Sequence, residues 1–137
     1  TLDRGAKHHL AMVSARGGMD IEAVAAEDPD AVVRMHVDPV IGLTEWQARE
    51  LVYRGRLDRG AARKAAAVLQ RLYRTFVDLD CDLVEVNPLI LTGAGEIVAL
   101  DAKVTLDSNG FYRHPEFEGF TVLQEEKPDG SRMVAAE

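Results

Sequence analysis

The sequence predicts an α+β domain, with mostly antiparallel strands and helices packed against them. Three observations carry that reading. Residues 82–104 form two β-rich runs joined by a short glycine-containing loop. Residues 59–77 place apolar side chains at helical spacing. Two shorter apolar runs, 9–14 and 31–37, are bracketed by turn and cap signals. The chain has 137 residues, 47% of them hydrophobic and 28% charged, which suits one ordinary domain or a piece of a larger one.

The elements follow in order. His9 to Ser14 reads as a strand ending at the turn Ala15-Arg16-Gly17-Gly18. Asp20 is placed to cap a short helix running to about Ala26, with Glu22 in its first turn, where the helix dipole favours negative charge. Asp28-Pro29-Asp30 breaks that helix, residues 31–37 form the next strand, and Asp38-Pro39 ends it ahead of a loop containing Gly42. Thr44 and Gln47 have the spacing of a capping box, so a helix is expected from Glu45 to about Tyr53, with Gly55 past its end. A longer helix is expected from about Arg59 to Val77, with Val68, Leu69, Leu72, Tyr73 and Phe76 facing the core. From Asp107 onward the chain is rich in turn formers and charge and shows no clear element.

Composition excludes several classes. Sixteen Lys and Arg stand against 23 Asp and Glu, a net charge of −7, and a duplex nucleic-acid binder needs a basic footprint. The single cysteine, Cys81, permits no internal disulfide and fits a reducing compartment. Apolar runs such as Ala65-Ala66-Ala67-Val68-Leu69 fall far short of the roughly 20 residues of a membrane helix, and no signal peptide is visible. The chain opens Thr-Leu-Asp-Arg without Met and reads as a fragment of a longer protein.

The hairpin is the most informative stretch. Strand side chains alternate between faces, so Glu85 shares a face with Asn87, and Asp101 with Lys103. A three-residue loop, Gly93-Ala94-Gly95, pairs Thr92 with Glu96; counting back, Asn87 faces Asp101 and Glu85 faces Lys103. Gly95 suits the left-handed position of such a loop, whereas a four-residue loop would split Asn87 and Asp101 across the sheet. An amide oxygen opposite a carboxylate is a hard-oxygen pair of the kind Mg²⁺ takes when water and phosphate complete its shell. A surface hairpin with a cross-strand polar pair and a Glu85–Lys103 ion pair accounts for the same residues. Pro88 implies an edge or a bulge in its strand.

Glu85-Val86-Asn87-Pro88-Leu89 followed by Leu100-Asp101-Ala102-Lys103 resembles the succinyl-CoA synthetase (succinate–CoA ligase) β-subunit family, which includes malate–CoA ligase and has ATP-citrate lyase as a relative. Other segments agree in order. Ser14 to Glu22 is similar to the family's Ser-x-Glu-Gly-Gly-x-(Asp/Glu)-Ile-Glu segment. Asp38-Pro39 with Gly42 and then Gln47-Ala48-Arg49 resembles its Asp-Pro-x-x-Gly and Tyr-Gln-x-Arg stretch. Asp107 to Pro115 resembles its Asp-x-Asn-Ala-x-(Phe/Tyr)-Arg-x-Pro segment. The resemblance covers about residues 3–115; Arg16 stands where an acid is common and Gly110 where Ala is common, and after Pro115 the match is loose.

The resemblance implies the second lobe of an ATP-grasp domain over residues 1–115, with 116–137 a linker toward a CoA-ligase domain. A phosphate-binding first lobe would precede Thr1. It implies that Asn87 and Asp101 hold the Mg²⁺ of ATP or GTP, and that Glu85 lies near the phosphohistidine of an α subunit, helping to position it. The implied reaction belongs to the tricarboxylic acid cycle. Nucleotide phosphorylates that histidine, phosphate passes to succinate, and CoA, bound mainly outside this fragment, displaces it as the thioester. A heterodimer or heterotetramer with the α subunit is implied, and a fragment inactive alone. A malate- or citrate-type ligase, or a non-catalytic ATP-grasp-derived module, are the alternatives.

The remaining reactive residues read as structural. His8 and His9 are expected near a solvated strand start, and His36 as a satisfied, partly buried strand residue. Neither they nor His114 match the phosphohistidine. Cys81 has no His or Lys nearby in sequence to activate it. Gly17-Gly18 is expected to make a tight strand-to-helix connection in preference to a phosphate cradle. Asp107, Asn109 and Arg113 are expected in a structured turn, or else to support the metal loop or bind a partner. Arg59, Arg63, Lys64, Arg71 and Arg74 are expected on a solvated helix face, with a subunit contact as the second reading.

Overall fold

The structure, a computed structural model, describes residues 1–119, 123–126 and 132–135. It divides into two units, Thr1–Leu106 and Asp107–Glu137. In the first, β1 (Leu2–Asp3), β2 (His8–Ser14) and β3 (Val32–Val37) form an antiparallel sheet in the order β1-β2-β3. β2 and β3 pair along their length, from His9↔Val37 to Ser14↔Val32.

Between them lies α1 (Ile21–Glu27). It starts where the Asp20 carboxylate accepts the N–H groups of Glu22 (2.7 Å) and Ala23 (3.2 Å), two donors with no partner inside the helix. Asp28 closes it, and a 3-10 turn at Pro29–Ala31 leads into β3. After β3 the Asp38 carboxylate accepts from Val40 (2.7 Å) and Ile41 (3.2 Å), which turns the chain toward α2 (Glu45–Arg54). The expected capping box is complete: Thr44 Oγ1 accepts from Gln47 N–H, and Gln47 Oε1 accepts from Thr44 N–H.

The long helix α3 spans Ala62–Asp78, beginning three residues later than the expected Arg59. The Asp58 carboxylate accepts the N–H groups of Gly60 (2.8 Å) and Ala61 (3.3 Å). Ala61 N–H also closes an i,i+3 turn on Asp58 O (3.0 Å), and helical bonding opens only with Ala65 N–H on Ala61 O (2.8 Å). The core is closed by α2 and α3 against β3: Val37, Leu43, Ala48, Leu51, Val52, Ala65 and Ala66 are buried together. Full burial of a Leu51 or Val52 side chain is worth about 1.5–3 kcal/mol. Of the expected α3 stripe only Phe76 is buried; Val68, Leu69, Leu72 and Tyr73 are half-buried. They line an open cleft of about 530 Å³ between α3, β2 and the strand that follows.

The hairpin has the predicted register and is broken in the middle. β4 (Cys81–Val86) pairs antiparallel with β7 (Ala102–Leu106), and β5 (Leu89–Leu91) with β6 (Ile97–Ala99). Glu85↔Lys103, Leu89↔Ala99 and Thr92 N–H to Glu96 O (2.8 Å) share one count. Proline has no N–H to give a ladder, and the strands part at Asn87-Pro88, a cis peptide. Gly95, at φ +77°, closes the loop with its N–H on Thr92 O. Lys64 Nζ, from α3, donates to Gly95 O (2.6 Å) and Glu96 Oε1 (3.1 Å).

The second unit has 3-10 turns at Ser108–Arg113 and Pro115–Gly119, and an antiparallel pair of β8 (Leu123–Glu126) with β9 (Arg132–Ala135). Asp107 and Asn109 stand in the structured turn expected of them: the Asp107 carboxylate accepts both the backbone N–H of Asn109 (2.9 Å) and its side-chain Nδ2 (2.8 Å). Among the described residues no helix is long and apolar enough to cross a membrane.

Candidate functional site

Asn87 sits where β4 stops, opposite Asp101, and its N–H donates to Asp101 O at 3.3 Å. Both residues lie in the gap between the two short ladders. Their backbones face each other as the count from Gly95 requires, and neither side chain is committed to a regular strand face.

The Asn87 side chain is half-buried and fully engaged as a donor. Nδ2 donates to Met19 O (2.6 Å) and to Glu85 Oε1 (3.2 Å); Oδ1 accepts the N–H of Gly18 at 2.7 Å. The amide orientation is fixed by chemistry: a peptide N–H only donates and a peptide carbonyl only accepts, so the flipped amide would set donor against donor. An amide oxygen has two lone pairs, so one remains for a further partner. Asp101 is exposed; its Oδ1 accepts from Ala102 N–H (2.9 Å), and Oδ2 has no hydrogen-bond partner among the described residues.

This donor set, one amide oxygen and one carboxylate, fits a divalent cation that keeps several waters and phosphate oxygens, as Mg²⁺ does. It does not fit a cation held wholly by protein, because no group of three or more His, Cys, Asp or Glu side chains gathers among the described residues. Glu85 is half-buried beside Asn87 and faces Lys103 in the ladder, as expected. The surface ion pair weighed for those two does not form: no contact joins their charged groups, and Lys103 is exposed.

The sequence did not reveal the loop Gly17-Gly18-Met19 as part of this site. It makes the tight connection expected of it, and it also clasps Asn87 from 68 and 69 residues away. Gly18 has φ +76°, and a Cβ on Gly17 would stand 3.0 Å from Pro88 Cβ. The one available signal was that both segments belong to the same resemblance, which says nothing about their touching. Arg16, next in this loop, pairs with Glu27 (2.9 Å) and Asp28 (3.3 Å) and fastens the loop to the end of α1.

His8 Nδ1 bonds Ala6 O (2.6 Å). His9 is less solvated than expected: it is half-buried, with Nδ1 3.0 Å from the Tyr73 hydroxyl and its ring edge-on to Phe76. Burial holds its pKa below the ordinary imidazole value. His36 is a correction in the other direction. It is exposed on β3 and bonds Asp3 Oδ2 at 2.9 Å, because β1 lies beyond β2 and brings only the edge of a short strand near it. His114 stacks on Phe117 and bonds Glu116 (3.0 Å). Cys81 is buried, and burial, with Asp80 and Asp82 alongside, pushes its thiol pKa up, the opposite of activation. Arg63, Lys64, Arg71 and Arg74 are exposed on α3, as expected.

Comparison with known proteins gives the domain family. The model of the ATP-grasp domain matches residues 1–91, ending just before the loop that leads to Asp101. The succinate–CoA ligase [ADP-forming] subunit β of Bordetella pertussis is 48% identical over 92% of this chain and 33% of its own length. The proteins of the same name from Rubrobacter xylanophilus and Natronomonas pharaonis are 44% and 42% identical over 96% and 98% of this chain, and 34% of each. The chain thus spans about a third of the length of the curated relatives it matches.

Proposed function

The chain belongs to the ATP-grasp domain family, and from that premise we propose that it supplies the cation-binding hairpin of a nucleotide-dependent succinate–CoA ligase β subunit. The observation that carries the reading is the hairpin register, in which the backbones of Asn87 and Asp101 stand opposite each other at the break between the ladders. The similarity to ADP-forming ligases favours ATP as the nucleotide.

In the proposed reaction the γ-phosphoryl group passes from ATP to a histidine of an α subunit, leaving ADP. It moves from there to succinate as an acyl phosphate, and CoA displaces phosphate to give the thioester. Asn87 Oδ1 and the Asp101 carboxylate would hold Mg²⁺, which supplies charge neutralisation on the transferring phosphates. Glu85, held by Asn87 Nδ2, presents a carboxylate that can accept a ring N–H and so orient the histidine. With two protein oxygens for the cation, these residues by themselves are proposed not to turn over nucleotide.

The test uses the full-length β subunit assembled with its α subunit. Transfer of label from γ-labelled ATP to the α subunit should fall by about a hundredfold in Asn87→Ala and in Asp101→Ala. Unchanged labelling in both variants would refute the assignment.

A further inference from the structure

We propose that the Gly17-Gly18-Met19 loop is a positioning element that aims the carbonyl oxygen of Asn87 at the cation; the inference rests on the reading of Asn87 as a Mg²⁺ ligand. Three contacts determine the amide. Gly18 N–H takes one lone pair of Oδ1 at 2.7 Å, Met19 O takes one hydrogen of Nδ2 at 2.6 Å, and Glu85 Oε1 takes the other at 3.2 Å. Rotating the amide by half a turn would break the first two at once. Both donors and one lone pair are therefore spent, and a single lone pair, in a single direction, remains. Partners that orient a metal-binding side chain in this way govern affinity although they never touch the ion.

The loop reaches Asn87 because it lacks side chains at two places. A Cβ on Gly17 would meet Pro88 Cβ at 3.0 Å, a contact the pyrrolidine ring has little freedom to relieve. Gly18, whose N–H meets the amide oxygen, lies at φ +76°, a conformation an L side chain would resist. The same amide carries the effect onward. Its second N–H fixes the carboxylate of Glu85, so the glycines orient two functional groups through one side chain.

The experiment is a double-mutant cycle on the complete β subunit assembled with its α subunit and nucleotide. Mn²⁺ serves as the probe for the Mg²⁺ position, and bound Mn²⁺ is measured by electron paramagnetic resonance. Gly17→Ala should weaken Mn²⁺ binding by about tenfold, and Asn87→Ala by at least as much. The pair together should bind no more weakly than Asn87→Ala alone, because the loop acts through that amide. A thermal melt of each variant reports the fold; where Gly17→Ala does not assemble, Gly18→Ala, which adds a side chain at the positive φ, runs the same cycle. Losses that multiply in the double variant, or unchanged Mn²⁺ binding in the glycine variant, would overturn the positioning role. Unchanged binding in Asn87→Ala would instead overturn the ligand reading, and the positioning role with it.

Discussion

His9 Nδ1 lies 3.0 Å from the hydroxyl of Tyr73, joining β2 to α3 across the cleft. The neutral ring can accept the tyrosine hydrogen, and the protonated ring cannot. Burial lowers the His9 pKa, and the positive charges of the Thr1 amino group and His8 act in the same direction.

A pH dependence of stability follows. The unfolded chain holds the His9 proton up to about pH 6.5, whereas the folded chain releases it lower. The unfolded state binds more protons in that window, so stability rises with pH. The contribution is fully present above about pH 6.5 and is lost as pH falls through the folded value. Denaturant unfolding of the protein between about pH 7.5 and 5 should show this slope, and His9→Gln should flatten it. A slope that survives the substitution would exclude His9 as its source. Asp3 and Asp38, each lowered mainly by backbone N–H bonds, act in a separate window below about pH 4.

The capping box at the start of α2 makes a second prediction. Thr44 Oγ1 and Gln47 Oε1 satisfy each other's backbone N–H groups. Thr44→Ala should cost about 1 kcal/mol of stability, while Thr44→Ser should cost less. Equal losses from the two would mean that the hydroxyl is not what matters.

Gly55 makes the third. It ends α2 at an ordinary right-handed φ of −69°, so its place owes nothing to backbone freedom. A Cβ there would stand 2.8 Å from Val13 Cγ1 and 3.1 Å from Leu51 O. Gly55→Ala should therefore cost about 1–3 kcal/mol by overpacking, read as a lower denaturation midpoint. Adding Val13→Ala removes the methyl that is hit and should make the glycine substitution cheaper than it is in the wild-type background. An unaltered cost in that background would place the strain against the helix backbone.

Local chemistry was legible in the chain. Asp20, Thr44 with Gln47, and Asp38-Pro39 act within three residues of themselves, and each does what its side chain dictates. The hairpin register was legible in part: Gly95 suits a three-residue loop, from which the count to Asn87 and Asp101 is arithmetic, while a four-residue loop stayed open until the structure showed Gly95 at a left-handed φ. α3 begins later than the helical stripe suggests because residues 58–61 close as an i,i+3 turn, Ala61 N–H on Asp58 O, before helical bonding opens with Ala65 N–H on Ala61 O.

The sequence by itself narrowed the hairpin to two registers, of which the one with the three-residue loop places Asn87 opposite Asp101 at the break between the ladders. Only the tertiary structure decided where the Asn87 amide points. Gly18 and Met19 lie 69 and 68 residues from Asn87, and a contact at such separation is set by how β2, α1 and β4 pack, not by spacing. The exposure of His36 and the burial of His9 were decided the same way. Strand alternation puts neighbours on opposite faces but does not say which face a helix will cover, and here α3 covers the face of His9.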